Sequence, residues 1–339
     1  MNEGDASTQA SPPVSRIGQN RTPIWVLISV IVGFLLPVCS CAVLIATSLG
    51  SLSLLGTGSA ANSGVGDAVA IVRVEGAITS GSADDLGTGT ISGIVIDDLK
   101  KAAADPTVKA IVLRIDSPGG TVTGSTQIYE ALQSMEKPVV ASMGGVAASG
   151  GFQVSLPTDY VFARADTLTG SIGVIMTLFN AEELIDEIGV DVITLTSGPN
   201  KAIGSMWEEM PPEHREILEG LIDESYDMFT QMVADGRNLP LENVRELADG
   251  RVYSGRQALE LGLVDELGNF NDAIAKAAGL GGIVGEPRIV EYEHVPSLNQ
   301  ILTSASTQLN QSETDKLLGV IAEFTTPALE YRYVGPGSQ

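Results

Sequence analysis

The sequence has 339 residues, 44% of them hydrophobic, and a formal net charge of −23. This acidity argues against nucleic-acid binding, which needs clustered lysine and arginine, and we interpret it as a property that keeps an exported protein soluble. The two histidines, His214 and His294, lie in a predicted surface helix and in a short segment ending at a proline. A Ser-His-Asp triad, which needs an imidazole as its base, is therefore disfavoured.

The N-terminal region is predicted to contain a membrane span. Residues 24–46 are uncharged, and a helix of these 23 residues would be roughly 34 Å long, enough to cross a bilayer core. Arg16 and Arg21 precede it and the next charge is Asp67, which predicts a cytoplasmic tail over residues 1–23 and an extracytoplasmic remainder. A cleavable signal peptide is the alternative, but its apolar region usually has about 7–15 residues, so an uncleaved single-pass anchor in the cell membrane is favoured.

Beyond the span, residues 47–66 are rich in glycine, serine, leucine and threonine and are predicted to form a flexible linker. The two cysteines, Cys39 and Cys41, both fall within the span, so no disulfide framework and no thiol nucleophile is expected in the exported part. One folded region is predicted over residues 67–296, followed by a C-terminal extension over residues 297–339.

Apolar runs alternate with helical patterns along the folded region. Strands are predicted at residues 68–74, 108–115, 138–142, 160–165 and 190–196. Helices are predicted at residues 94–104, 122–135, 147–156, 181–188 and 211–236. This alternation indicates βαβ units and a largely parallel sheet, whose functional sites gather at the carboxyl ends of the strands.

Ser149 stands in a run of small residues, 142–151, of the kind required where the backbone turns tightly or is closely approached. It also lies where a predicted helix opens. A residue in the first turn of a helix lies among unpaired N–H groups at the positive end of the dipole, which suits an oxyanion. We therefore interpret Ser149 as a candidate nucleophile.

A second glycine turn, Asp116–Gly120, follows a predicted strand, and Lys201 follows another, so both are expected at the same sheet edge as Ser149. A lysine acts as base only when neutral, which requires its pKa of about 10.4 to fall by roughly three units. Burial is expected to lower it, among Ala202, Ile203 and Met206. The alternatives are ordinary glycine turns that pack helices against a sheet and a solvated loop lysine.

Five segments in chain order resemble the motifs of the signal peptide peptidase A (SppA) family, membrane-anchored serine proteases with a Ser-Lys dyad. These segments are residues 114–120, 141–152, 169–174, 197–204, and 249–255 together with 258–265. The resemblance covers roughly Val69 to Gly279 and contains one set of motifs, as in the short form of the family. It implies a ClpP/crotonase-like α/β fold of repeated ββα units with a largely parallel sheet.

The resemblance also implies the roles of individual residues. Ser149 is the nucleophile and Lys201 the general base, Ser171 hydrogen-bonds the lysine amine, and backbone N–H groups near Gly120 and Gly150 hold the oxyanion. The expected substrates are hydrophobic peptides left in the membrane after signal-peptide cleavage. No cofactor or metal is expected, and the expected assembly is a homo-oligomeric ring in which adjacent subunits complete each dyad.

Three alternatives remain open at this point. A related membrane protease that works with a stomatin-like partner would cleave a specific protein instead of peptide debris. A crotonase-like acyl-CoA enzyme would share the fold and the oxyanion turn, although a membrane anchor and a Ser-Lys pair argue against it. A binding scaffold without catalysis would leave Ser149 unreactive towards a fluorophosphonate.

Overall fold

The structure, a computed structural model, describes residues 66–82, 89–292 and 328–335. All described residues belong to one compact unit within Ala61–Gln339. The predicted span 24–46 and His294 lie outside the described residues. Within the described ranges, no helix is long and apolar enough to cross a membrane.

Strands and helices alternate over most of the described chain. The strands are β1 Ala68–Glu75, β2 Ile78–Thr79, β3 Thr90–Ile91, β4 Val108–Ser117, β5 Gly119–Thr121, β6 Val139–Ala148, β7 Tyr160–Ala163, β8 Leu168–Gly170, β9 Ile175–Met176, β10 Val252–Ser254, β11 Glu266–Leu267, β12 Arg288–Glu291 and β13 Leu329–Arg332. The helices are α1 Ser92–Ala104, α2 Val122–Gln133, α3 Gly150–Gln153, α4 Glu182–Ile188, α5 Pro212–Arg237, α6 Leu241–Leu247, α7 Gly255–Glu260 and α8 Phe270–Leu280.

The larger sheet is mostly parallel, as predicted. Its main path runs β10-β8-β6-β4-β1-β12, and β7 adds to β6 and carries β11. All of these pairs are parallel except β10 with β8, which is antiparallel. The strands predicted around residues 68–74, 108–115, 138–142 and 160–165 are confirmed as β1, β4, β6 and β7.

Apolar side chains cover both faces of this sheet because successive residues of a strand point to opposite faces. In β4, Ile111 and Leu113 join a cluster that includes side chains of α1, α2 and α5. Ala110 and Val112 join a second cluster with Ala273 of α8. These β4 residues are fully buried, and burial of each larger one contributes about 1.5–3 kcal/mol. The continuous apolar run of β4 therefore fixes it as a central strand.

The smaller sheet begins where β4 continues into β5. Its order is β3-β2-β5-β13-β9. The strand β2 is parallel to both β3 and β5, whereas β13 is antiparallel to β5 on one side and to β9 on the other. Since β13 comes from the predicted C-terminal extension 297–339, part of that extension pairs with strands of the folded region.

Two local predictions differ from the structure. The helix predicted over residues 147–156 is shorter, because β6 runs to Ala148 and α3 begins only at Gly150. The strand predicted at residues 190–196 is wrong: this stretch has no regular structure, and Ile193 is 81% exposed. A β-branched run has strand propensity, but a strand persists only where its backbone groups pair with a neighbour.

Candidate active site

Ser149 lies at a sharp turn between β6 and α3. Its backbone has φ 54° and ψ −116°, a conformation that glycine adopts readily and that is strained for other residues. The turn is held on both sides, because the Ser149 N–H donates to the Gly170 carbonyl at 2.7 Å and the Ser149 carbonyl accepts from the Gln153 N–H at 2.9 Å. The residue is 1% exposed. Neighbouring elements therefore impose the strain, which is common at catalytic residues.

Ser171 is the structural neighbour of Ser149. The strand β8 pairs in parallel with β6, with Ala148 opposite Gly170, so the residue that follows each strand is a serine. Both serines have positive φ, 54° and 51°. The N–H group of Ser171 donates to the Arg251 carbonyl at 2.8 Å. The register of two adjacent strands thus brings together Ser149 and Ser171, which are far apart in sequence.

An ion pair stabilises the turn whose carbonyl accepts the hydrogen bond of the Ser171 N–H group. The Arg251 guanidinium donates to the Asp249 carboxylate from the same short turn. These hydrogen bonds lower the pKa of Asp249 to about 2. The carboxylate is therefore ionised at neutral pH, and it also accepts from the Arg251 N–H at 3.1 Å. This turn fixes the carbonyl that positions Ser171.

The glycine turn between β4 and β5 contacts the start of α3. The Ser117 hydroxyl donates to the Gly76 carbonyl at 2.6 Å and accepts from the Gly119 N–H at 3.1 Å. Gly119 has φ 93°, and a Cβ there would stand 2.6 Å from the Gly150 nitrogen and overlap the Tyr331 carbonyl oxygen. Only glycine permits this approach. The two glycine turns predicted from the sequence therefore lie side by side.

The predicted oxyanion residues Gly120 and Gly150 are both tightly enclosed. A Cβ on Gly120 would overlap the Ile78 carbonyl oxygen, because β5 pairs with β2 at these two residues. A Cβ on Gly150 would overlap the hydroxyl of Ser125, a buried group without a hydrogen-bond partner in the described part of the chain. No sequence pattern indicates a role for Ser125, because its proximity to Gly150 arises only in the fold.

Lys201 makes no hydrogen bond to this cluster among the described residues. Its side chain is exposed, and no hydrogen bond among the described residues joins it to Ser149 or Ser171. Its N–H group donates to the Gly198 carbonyl at 3.2 Å, and His214 Nε2 lies 3.1 Å from the Pro199 carbonyl oxygen. The expected burial of the lysine is therefore absent in a single chain, because the preceding stretch, residues 190–196, does not join the sheet.

Comparison with known proteins assigns the family. The model of peptidase family S49 matches residues 131–283, a range that includes Ser149, Ser171 and Lys201. A putative protease of Synechocystis is 42% identical over 254 residues, which are 74% of this chain and 87% of that protein. The chain belongs to peptidase family S49. A Clp protease model also matches residues 86–162, in agreement with the α/β fold.

Other S49-type relatives agree with this assignment. Protease 4 of Salmonella typhi is 40% identical over 219 residues, 63% of this chain and 35% of that protein. A putative signal peptide peptidase SppA of Enterococcus faecium is 38% identical over 182 residues, 53% of each chain. The resemblance to the SppA family is thereby confirmed, and the protein is a serine protease.

Proposed function

We propose that this serine protease is an endopeptidase with a Ser149–Lys201 dyad that degrades hydrophobic peptides at the membrane, cleaved signal peptides among them. The observation that carries the proposal is the strained turn at Ser149, which stands beside Ser171 and against the Gly119–Gly120 turn. A nucleophile, a second hydroxyl and a backbone cradle for an oxyanion are the parts that acyl transfer requires.

The chemistry follows from these parts. Neutral Lys201 takes the proton of the Ser149 hydroxyl, and the alkoxide attacks the peptide carbonyl. Backbone N–H groups near Gly120 and Gly150 hold the resulting oxyanion. The protonated lysine then gives its proton to the leaving amine, and a water molecule hydrolyses the acyl-enzyme. Ser171, adjacent to Ser149 in the strand register, orients the lysine amine.

A hydrophobic substrate class is supported by the name of a relative and by the predicted membrane span, whereas the cavity beside β9 has a mixed lining. This cavity has a volume of about 490 Å³. Six apolar residues line it, Met176, Leu178, Phe179, Met210, Leu218 and Ile222, together with six polar or charged ones, Asn180, Ser205, Glu208, Glu209, Arg215 and Glu219. One relative is named a putative signal peptide peptidase, and the predicted span 24–46 would tether the site close to the bilayer, where such peptides remain.

The exposure of Lys201 supports a site completed between two copies of the chain. The helix α4 has no buried residue, and the stretch that follows it exposes large apolar side chains that include Val190, Val192, Ile193 and Leu195. Contiguous exposed apolar surface marks an interaction site. A neighbouring subunit that covers this surface would bury the lysine against the Ser149 of its partner, and repetition of this heterologous contact would close a ring.

Active-site labelling tests the dyad. Wild type should react with a fluorophosphonate and cleave a hydrophobic peptide, whereas Ser149→Ala and Lys201→Ala should each lose cleavage and keep the folded domain. The matched control is Lys276→Ala, which removes a lysine of α8 that lies over the Tyr160 ring. Near wild-type cleavage by Lys201→Ala would show that another group is the base.

Mixing inactive protomers tests the shared site. Combination of Ser149→Ala with Lys201→Ala should restore part of the activity, because some interfaces then pair an intact serine with an intact lysine. Activity that stays absent at every mixing ratio would place both residues in one subunit. For the membrane orientation, a reporter fused after Gly66 should be active only outside the cytoplasm, and cytoplasmic activity there would contradict the orientation.

A further inference from the structure

His214 lies on the face of α5 that packs towards the rest of the protein. It is in the first turn of the helix, and Leu218 and Ile222 follow it at intervals of four residues, so the three side chains share one face. All three are partly buried, whereas the residues between them are exposed. Further along the helix, Phe229 and Val233 are fully buried. The core therefore holds α5 in place, and with it the backbone of His214.

The imidazole of His214 contacts the loop that carries Lys201, which comprises residues 197–204 and is called the Lys201 loop below. Its Nε2 lies 3.1 Å from the carbonyl oxygen of Pro199, two residues before the lysine. A carbonyl oxygen can only accept a hydrogen bond, so Nε2 carries a proton and is the donor. The neutral imidazole and the imidazolium can both donate in this way. The side chain of His214 therefore joins a helix that the core holds to the backbone of this loop.

Hydrogen bonds within the Lys201 loop do not fix its direction. The Lys201 N–H donates to the Gly198 carbonyl at 3.2 Å, a bond that spans only three residues. The preceding stretch, residues 190–196, forms no strand. In the described part of the chain, the contact of His214 with Pro199 is the one hydrogen bond that joins this loop to a helix or strand. The orientation of the loop relative to α5 therefore depends on this contact.

We propose that His214 is a positioning residue for Lys201, and that its hydrogen bond to the Pro199 carbonyl holds the loop in the orientation in which the lysine amine reaches the Ser149 of a neighbouring subunit. A base must lie within hydrogen-bond reach of the hydroxyl that it deprotonates, and an unrestrained loop would hold a lysine there only part of the time. In this role the imidazole contacts no reacting atom and acts through the loop backbone.

The role of the lysine in this inference rests on the proposed function. The hydrogen bond that orients the loop does not, because it depends only on the contact between α5 and the Pro199 carbonyl. The orientation of the loop and its effect on cleavage are therefore tested separately.

Hydrogen exchange of the full chain reports on the loop without turnover. In the Ser149→Ala chain, His214→Ala should speed exchange of peptic fragments that cover residues 197–204 about three- to tenfold, as expected for the loss of one hydrogen bond. His214→Gln should exchange as its parent does, because its amide nitrogen reaches about as far as Nε2. His214→Asn, whose amide nitrogen reaches only as far as Nδ1, should exchange as the alanine variant does. The control is Glu216→Ala, at an exposed residue of the same helix, which should leave exchange of the loop unchanged.

The comparison of asparagine with glutamine is decisive. Both variants keep a polar amide in the first turn of α5, and they differ in the reach of the donor. If His214→Ala also speeds exchange across α5, this pair still separates loss of the hydrogen bond from a disturbed helix. Equal exchange of the Lys201 loop in the asparagine and glutamine variants would overturn the proposal.

Cleavage of a hydrophobic peptide tests the effect on the base. His214→Ala and His214→Asn should each lower kcat about three- to tenfold and change KM by less than about twofold, because the substitution loosens the loop and leaves substrate contacts intact. His214→Gln should restore the wild-type kcat. A wild-type kcat in the alanine and asparagine variants, or a change confined to KM, would overturn the positioning role.

The two measurements separate this inference from the proposed function. If loop exchange responds as expected but Lys201→Ala cleaves at the wild-type rate, the lysine is not the base, and the hydrogen bond of His214 still orients the loop. If Lys201→Ala is inactive while His214→Ala keeps the exchange and the kcat of its parent, the positioning role is refuted and the dyad stands.

Discussion

The strain at Ser149 predicts a specific difference in stability between two variants that lack the hydroxyl of this candidate nucleophile. Ser149→Ala and Ser149→Gly both remove the hydroxyl, but only glycine relaxes a backbone held at φ 54° and ψ −116°. Such a conformation costs a non-glycine residue about 1–3 kcal/mol, whereas glycine adds about 0.5–1 kcal/mol of chain entropy to the cost of folding. We therefore expect Ser149→Gly to be more stable than Ser149→Ala by roughly 1 kcal/mol.

Unfolding experiments measure this difference. In a folded region of this size, about 1 kcal/mol corresponds to a shift of about 2–4 °C in Tm, and the urea midpoint should move in the same direction with an unchanged slope. The control is the same pair of substitutions at Ser134, an exposed residue with the ordinary values φ −86° and ψ 0°. There the glycine variant should be the less stable one, by up to about 1 kcal/mol.

The sign of the stability difference between Ser149→Gly and Ser149→Ala tests whether the turn is strained. If Ser149→Gly is no more stable than Ser149→Ala, the turn stores no strain, and the neighbouring elements do not force Ser149 into its position. Backbone geometry would then no longer support a catalytic role for Ser149, whereas the family assignment would stand.

Three further predictions concern the site and its surroundings. Gly120→Ala should slow peptide cleavage about 10²–10³-fold, because its Cβ would overlap a β2 carbonyl and shift the turn that we propose binds the oxyanion. Asp265→Asn should destabilise the protein by about 1–3 kcal/mol in urea unfolding, because it removes the charged partner, at 2.7 Å, of an Arg237 side chain that is only 9% exposed. Burial raises the pKa of Tyr331 to about 12, so the native state keeps this proton between pH 10 and 12 while the unfolded chain loses it, and stability should fall across that window.

Each of these predictions has a matched control. The Gly145→Ala variant should cleave peptide at the wild-type rate, since its Cβ would only contact Asp116 at 3.7 Å. An equal loss of activity in both variants would show that Gly120 has no special role. Asp166→Asn breaks an exposed ion pair and should change the free energy of unfolding by less than about 1 kcal/mol. If Asp265→Asn destabilises the protein no more than Asp166→Asn does, burial of the ion pair is not the cause of its effect. Tyr331→Phe should reduce the decline in stability above pH 10, and an unchanged decline would assign it to other groups.

Local sequence predicted the central strands well because their patterns leave little choice. The apolar run of β4 is buried on both faces and ends at a glycine turn. The sequence therefore predicted both the strand and which of its ends faces the candidate site. The long helix α5, bounded by Pro212 and Arg237, was also readable from its apolar spacing and its N-terminal proline. In contrast, residues 190–196 show strand propensity without a partner, and propensity alone did not produce a strand.

The sequence by itself determined the parallel α/β sheet, the two glycine turns and Ser149 as the candidate nucleophile, because apolar periodicity and glycine requirements are local properties. Tertiary structure alone decided that Ser149 adjoins Ser171, that Gly119 meets Gly150, and that Tyr331 fills a pocket of α5. These are contacts between distant segments, set by strand register and close packing, and no local pattern encodes them. For the same reason the exposed position of Lys201 became visible only in the fold.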